Sequence, residues 1–198
     1  KGPHHKAERK DQKTTSVTES KLVWIQEGYF AFGRKGPEGL NVEQLAKNLK
    51  KSKSSFYYYF GDLELFQADL LAYHIERADE IACRGEKCTS MDPDVINLIV
   101  DTKDDLLFNK QLRLHFQDPL FKECFEQSFD RISGSFIDKW NLMIGLEPQS
   151  ELGKLIFHLL VDNFFLQVTD DNLSYQWFHE YLKSLSSTID KIKSVSKG

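Results

Sequence analysis

Apolar residues recur every three or four positions through most of this 198-residue chain, and only five prolines and eleven glycines interrupt them. Long uninterrupted stretches with that period are helices, so the fold class is predicted to be all-α. The pattern stops at Gly36-Pro37, Gly85–Pro93, Asp118-Pro119 and Gly145–Gln149, where glycine or proline ends a helix. About nine helices are expected between those breaks. An apolar content of 40% provides a core and excludes a disordered chain. No run of about 18 uncharged apolar residues occurs, which excludes a membrane-spanning helix. The polar, basic beginning has no apolar stretch behind it and is read as lacking a signal peptide. Cys83, Cys88 and Cys124 form no CxxC pair, so a disulfide framework is not expected and a cytoplasmic location is.

Charge is unevenly placed. Residues 1–61 carry 12 Lys/Arg against 6 Asp/Glu, whereas residues 62–198 carry 14 against 24, within a total of −4. A basic head on an acidic body suits binding of a polyanion by the head. Residues 1–16 lack apolar periodicity and are expected to form a flexible basic arm. A helix then begins near Thr18, with Thr18 and Ser20 as candidate caps and Leu22, Ile25, Gly28 and Phe32 on its buried face.

The next segment is the most specific. Asn41 and Gln44 have capping-box spacing at the start of a short helix whose buried stripe is Val42, Leu45, Ala46 and Leu49. Lys50-Lys51 form a turn, and Ser52 caps a third helix, Lys53–Phe60, that Gly61 closes. Phe56 and Phe60 share one face and point inward. Five consecutive aromatic residues, Phe56 to Phe60, sweep the whole circumference of a helix, so at least two of them must face outward. Two short helices joined by a tight turn after a longer helix read as a helix-turn-helix unit over residues 17–61. Its second helix would expose cations, hydroxyls and tyrosines, the groups that contact a phosphate backbone and base edges.

Trp24 to Phe66, above all Leu45-Ala46 with Phe56-Tyr57-Tyr58-Tyr59-Phe60, Glu64 and Phe66, resembles the DNA-binding domain of TetR-family transcriptional regulators. The departures are Lys50 and Lys51, where the family has glycine and an apolar residue, Tyr59 in place of its histidine, and Leu63 in place of a common phosphate-contacting lysine. Lys50 must then adopt a left-handed conformation at a cost on the order of 1 kcal/mol. The resemblance implies a homodimeric, ligand-responsive DNA-binding repressor that binds a palindromic operator in double-stranded DNA. Lys50, Lys53, Tyr59 and the arm would contact phosphates, and Ser54, Ser55, Tyr57 and Tyr58 would read bases. The alternative is a TetR-like ligand- or protein-binding module that has lost operator binding.

Residues 62–198 are expected to form the ligand-binding and dimerisation domain. Its helices are read as Asp62–Arg84, one ending near Phe108, one from Asp118 to Gly145, and the pair 151–169 and 173–193. Asp92 is expected to cap the second of these, with Pro93 in its first turn. The helix 151–169 is apolar nearly all round and must be buried on several sides. In TetR-like proteins the corresponding C-terminal pair packs against its two-fold mate. Leu160, Phe164, Phe178, Tyr181 and Leu185 are accordingly expected at the dimer interface. Phe108, Phe125, Phe129, Phe136, Trp140 and His158 are candidate lining for a pocket that takes a small hydrophobic or aromatic effector. No GxSxG, HExxH, CxxC or glycine-rich phosphate loop occurs, so no enzyme, metal or cofactor is expected.

Overall fold

A computed structural model describes residues 4–195, with side chains from residue 18 onward. Every regular element among the described residues is helical: α1 (His4–Lys35), α2 (Val42–Leu49), α3 (Lys53–Phe60), α4 (Leu63–Lys87), α5 (Ile96–Asp101), α6 (Lys103–Leu114), α7 (Pro119–Gly134), α8 (Ile137–Met143), α9 (Glu151–Gln167) and α10 (Tyr175–Val195). A 3-10 turn, Gly36–Gly39, follows α1, and a π-turn, Met91–Val95, precedes α5. No helix among these residues is long and apolar enough to cross a membrane.

The chain divides into two units, Lys1–Tyr73 and His74–Gly198, so the division falls within α4 rather than at Gly61-Asp62. The first turns of α4 belong to the first unit because their apolar side chains are part of its core. Phe66 and Leu70 are buried there, and a Cβ on Gly28 would lie 2.4 Å from the Phe66 ring. Trp24, Phe56, Phe60 and Phe66 form an aromatic cluster with edge contacts of 5.4 Å (Trp24–Phe56), 5.0 Å (Phe56–Phe66) and 4.7 Å (Phe60–Phe66). Such pairs add about 0.5–1.5 kcal/mol each beyond the area they bury.

The first helix departs from the sequence reading. It already runs from His4, so residues 4–16 are helical rather than an arm, and Thr18 and Ser20 lie inside it rather than capping it. Lys, Ala, Glu, Arg and Gln dominate that stretch and favour helix without needing a buried face. Leu22 is exposed, while Trp24, Ile25, Tyr29 and Phe32 are buried. Residues 1–3 of the expected arm lie outside the described residues, as do the side chains up to residue 17.

In the second unit, two helices expected to be continuous are each broken. Thr102 separates α5 from α6: its hydroxyl donates to the Leu98 carbonyl at 2.8 Å, and its backbone leaves the helical region at φ −106°, ψ 35°. Ser135 and Phe136 separate α7 from α8, where three poor helix formers, Ser133-Gly134-Ser135, adjoin. Asp92 does not cap a helix. Its carboxylate instead accepts from the Tyr175 hydroxyl at 2.7 Å and lies 2.5 Å from His179 Nδ1, which hold its pKa below the usual range. Asp94 closes the turn instead, accepting from the backbone N–H of Thr89 and Ser90 and from the Thr89 hydroxyl.

His74 has no exposed surface; it stacks on Phe108 at 4.5 Å and its Nε2 lies 3.0 Å from Asn109 Oδ1. Burial lowers its pKa from 6.5 to about 4. The unfolded chain therefore takes up a proton at a pH where the folded one does not, and stability is lost as pH falls from 6.5 towards 4, then levels. The loss expected from this residue is about 3 kcal/mol. Urea titrations between pH 7 and pH 4 should show it, and His74→Gln should flatten that part of the profile.

Candidate functional site

Lys50 ends α2 in the left-handed conformation, φ 53° and ψ 40°, the one non-glycine residue with positive φ among those described. That geometry lets its N–H reach the Lys47 carbonyl at 3.1 Å and the Lys51 N–H reach the Ala46 carbonyl at 2.9 Å, which turns the chain sharply. Asn41 Oδ1 accepts from the Gln44 N–H at 2.9 Å at the start of α2. Gln44 spends its side-chain amide on Asn48, so the reciprocal half of a capping box is not made. Ser52 Oγ accepts from the Ser55 N–H at 3.2 Å to start α3, and Asp62 Oδ1 accepts from the Leu65 N–H at 2.8 Å to start α4. Gly61, at φ 77°, reverses the chain between them.

These caps fix the rotation of α3. Phe56 and Phe60 turn inward, with Phe56 fully buried. Tyr57 is 50% exposed and Tyr58 76%, while Tyr59 is half-buried with its ring 5.1 Å from that of Tyr58. Lys53 and Ser54 are exposed and Ser55 is half-buried. Lys47, Lys50 and Lys51 are exposed on α2 and the turn. Lys53 reaches towards Glu43 at 3.9 Å, a pair too exposed to hold either side chain. All seven residues expected to meet DNA thus lie on one short helix and the turn before it. Leu63 and Leu65 beside them are exposed apolar residues.

The second unit contains a cavity of about 100 Å³ bounded by α4 to α10. Of the candidate pocket residues, Phe129, Phe136 and Trp140 line it. Phe108 does not, because its ring stacks on His74; Phe125 does not, because it is packed among Phe116, Phe129 and Phe165. His158 lies on the exposed side of α9.

The five residues expected at a dimer interface line this same cavity. Leu160, Phe164, Phe178, Tyr181 and Leu185 face inward within one chain. Helical spacing places them on a common side of α9 and of α10, and that side covers the cavity. The opposite side of α9 carries Leu152, Leu155, Leu159 and Leu166 at intervals of three, four and seven residues, and all four are exposed, Leu159 by 80%. The helix is therefore buried on one side and bare on the other, not buried all round.

Polar groups also reach the cavity, and sequence patterning did not single them out. Thr102, just before α6, and Asp105 and Asn109 on it line the cavity, with Ser133 on α7. Asp105 is 4% exposed and accepts two parallel bonds from Arg77, Nε to Oδ1 and Nη2 to Oδ2, each 3.0 Å. Asn109 Oδ1 accepts from Ser128 Oγ at 2.8 Å and from His74. The i, i+3, i+7 spacing of Thr102, Asp105 and Asn109 was the available signal. Among the described residues, no group of three or more His, Cys, Asp or Glu is gathered in metal-binding fashion. Cys124 is buried, which pushes its thiol up to about 12.

No protein-family model, curated protein or solved structure matches the chain.

Proposed function

We propose that this chain is a ligand-responsive DNA-binding transcriptional regulator, with α2 and α3 as a helix-turn-helix and α3 as the recognition helix. The observation that carries this reading is the outward display of Tyr57, Tyr58, Ser54 and Lys53 on a helix whose opposite face is anchored by Phe56 and Phe60. Two adjacent exposed tyrosines beside lysines suit a duplex groove. The resemblance of Trp24–Phe66 to TetR-family DNA-binding domains supports the same reading, as does the basic charge of residues 1–61. As a repressor the protein would act as a homodimer on a palindrome, with ligand entry shifting α4 and so the spacing of the two recognition helices. Its location would be the cytoplasm.

The bare leucine row on α9 is the surface we assign to the second copy. Leu159→Lys is expected to convert dimer to monomer in size-exclusion chromatography with light scattering, with helix content unchanged. A monomeric parent would remove this part of the proposal.

The test of DNA binding is a mobility-shift titration on DNA from upstream of the protein's own gene, at rising salt. Log affinity should fall linearly with log salt. Replacing Lys50 and Lys53 together with Ala should reduce the slope by roughly two. Tyr58→Ala should instead weaken binding to the specific site and leave the slope unchanged. Affinity that does not respond to salt refutes the proposal. Exposed Leu63, at a position where the family commonly carries a phosphate-binding lysine, favours the second reading of a ligand-binding module without operator binding. Absence of any shift would select it.

A further inference from the structure

We infer that the cavity of the second unit takes a neutral, single-ring aromatic molecule bearing one oxygen-containing substituent, which Asn109 and Ser133 hold by that oxygen. This deepens the effector half of the proposed function; it rests on the cavity being the ligand site, not on DNA binding.

Size and lining set the first part. A cavity of about 100 Å³ is no larger than the roughly 150 Å³ void that admits benzene, which limits a ligand to one ring with a short substituent. Phe129, Phe136, Trp140, Phe157 and Phe164 give it aromatic walls, which favour the face or edge of a ring.

Hydrogen-bond accounting sets the second part. Five oxygen-bearing side chains line the cavity, and three of them are already committed, among them Tyr181, whose hydroxyl donates to Asn163 Oδ1 at 3.4 Å. Thr102 donates its hydroxyl proton to the Leu98 carbonyl, and Asp105 accepts the Arg77 fork. Asn109 spends Oδ1 on His74 and Ser128, which leaves the two N–H donors of Nδ2. In the Nε2–H tautomer of neutral His74, Asn109 Oδ1 accepts from both His74 and Ser128, and the orientation of the amide follows from that tautomer. Ser133 is 7% exposed and Asn109 4%, so neither is reached freely by bulk water. A buried amide and a buried hydroxyl both gain from a ligand oxygen that accepts from Nδ2 and exchanges a hydrogen bond with Ser133 Oγ.

Charge sets the third part. Arg77 and Asp105 neutralise each other, so an anionic ligand meets no free cation and a cationic one meets a carboxylate already taken. Either ion would lose its hydration among aromatic rings without compensation.

Calorimetric titration of the full chain with benzyl alcohol, ethylbenzene, benzoate and benzylammonium tests this. Benzyl alcohol should bind at least about tenfold more tightly than ethylbenzene, its shape match without oxygen, and more tightly than either ion. Ser133→Ala, which removes one atom from a helix, should narrow the gap between benzyl alcohol and ethylbenzene without changing the melting temperature. Val161→Phe, which fills the cavity, should abolish binding of both. Equal or tighter binding of ethylbenzene overturns the inference, as does tighter binding of either ion or no binding of benzyl alcohol. A DNA shift without benzyl alcohol binding defeats the ligand assignment alone. Benzyl alcohol binding without any DNA shift upholds it and defeats the regulator reading alone.

Discussion

Phe56→Ala is expected to destabilise the first unit by about 3–5 kcal/mol, whereas Tyr58→Ala, two residues further along the same helix, should change stability by less than about 0.5 kcal/mol. The Phe56 ring is fully buried and meets Trp24, Phe60 and Phe66 at centroid distances of 5.4, 5.1 and 5.0 Å. Removing it leaves a ring-sized void that rigid aromatic neighbours cannot close, so the lost transfer energy and the cavity cost add. Tyr58 leaves no void because 76% of its surface already faces solvent. Hydrogen exchange of the α1, α2 and α3 amides should show the contrast directly. Protection should collapse across all three helices in the Phe56 variant and stay at the parental level in the Tyr58 variant. Comparable losses in both would mean that the Tyr58 ring supports the core, and the outward face of α3 would lose its claim to be a binding surface.

Gly153→Ala should cost on the order of 2–4 kcal/mol, although it adds a single methyl group near the start of a helix. The added carbon would lie 1.9 Å from Asn141 Oδ1, and Asn141 has little room to withdraw. Its Nδ2 donates to the carbonyls of Pro148 and Ser150, and the Gly153 carbonyl accepts from Trp140 Nε1 at 3.0 Å. Moving either partner therefore loosens the connection between α8 and α9. Trp140 also lines the cavity, so the same change should disturb ligand binding. Gly134→Ala provides the comparison: nothing lies within 4 Å of its added carbon, and the helical backbone should gain a few tenths of a kcal/mol to about 1. Thermal melts of the two variants should move in opposite directions. A melting temperature for Gly153→Ala equal to the parent would show that the Asn141 clamp yields freely.

Local punctuation was legible in the sequence. Asn41, Ser52, Gly61 and Asp62 sit where a cap or a chain reversal was expected, and Lys50 takes the left-handed conformation that its position required. The inward turn of Phe56 and Phe60 was also readable, because i, i+4 spacing alone defines a helix face. The sequence misplaced the start of α1, since absent amphipathicity signals absent packing and not absent helix. It also ran two helices through Thr102 and Ser135. In those places a side-chain hydroxyl bonds a carbonyl of its own helix, Thr102 to Leu98 and Ser135 to Ile132, and propensity differences of a few tenths of a kcal/mol per residue could not resolve the break. Three of the six candidate pocket residues border the cavity and three do not, for a related reason. Phe108 and Phe125 are as apolar as Phe129 and Phe136, and only their neighbours separate core filling from cavity lining.

By itself, then, the sequence determined the helical class, the tight turn between α2 and α3, and which side of α3 is anchored, because each depends on residues within about one or two turns of one another. Tertiary structure decided that the inner face of α9 closes a cavity while its leucine row stays bare, and that Asn109 meets both His74 and Ser128. Those partners are 35 and 19 positions from Asn109, and a period of 3.6 residues specifies a face without specifying what crosses it.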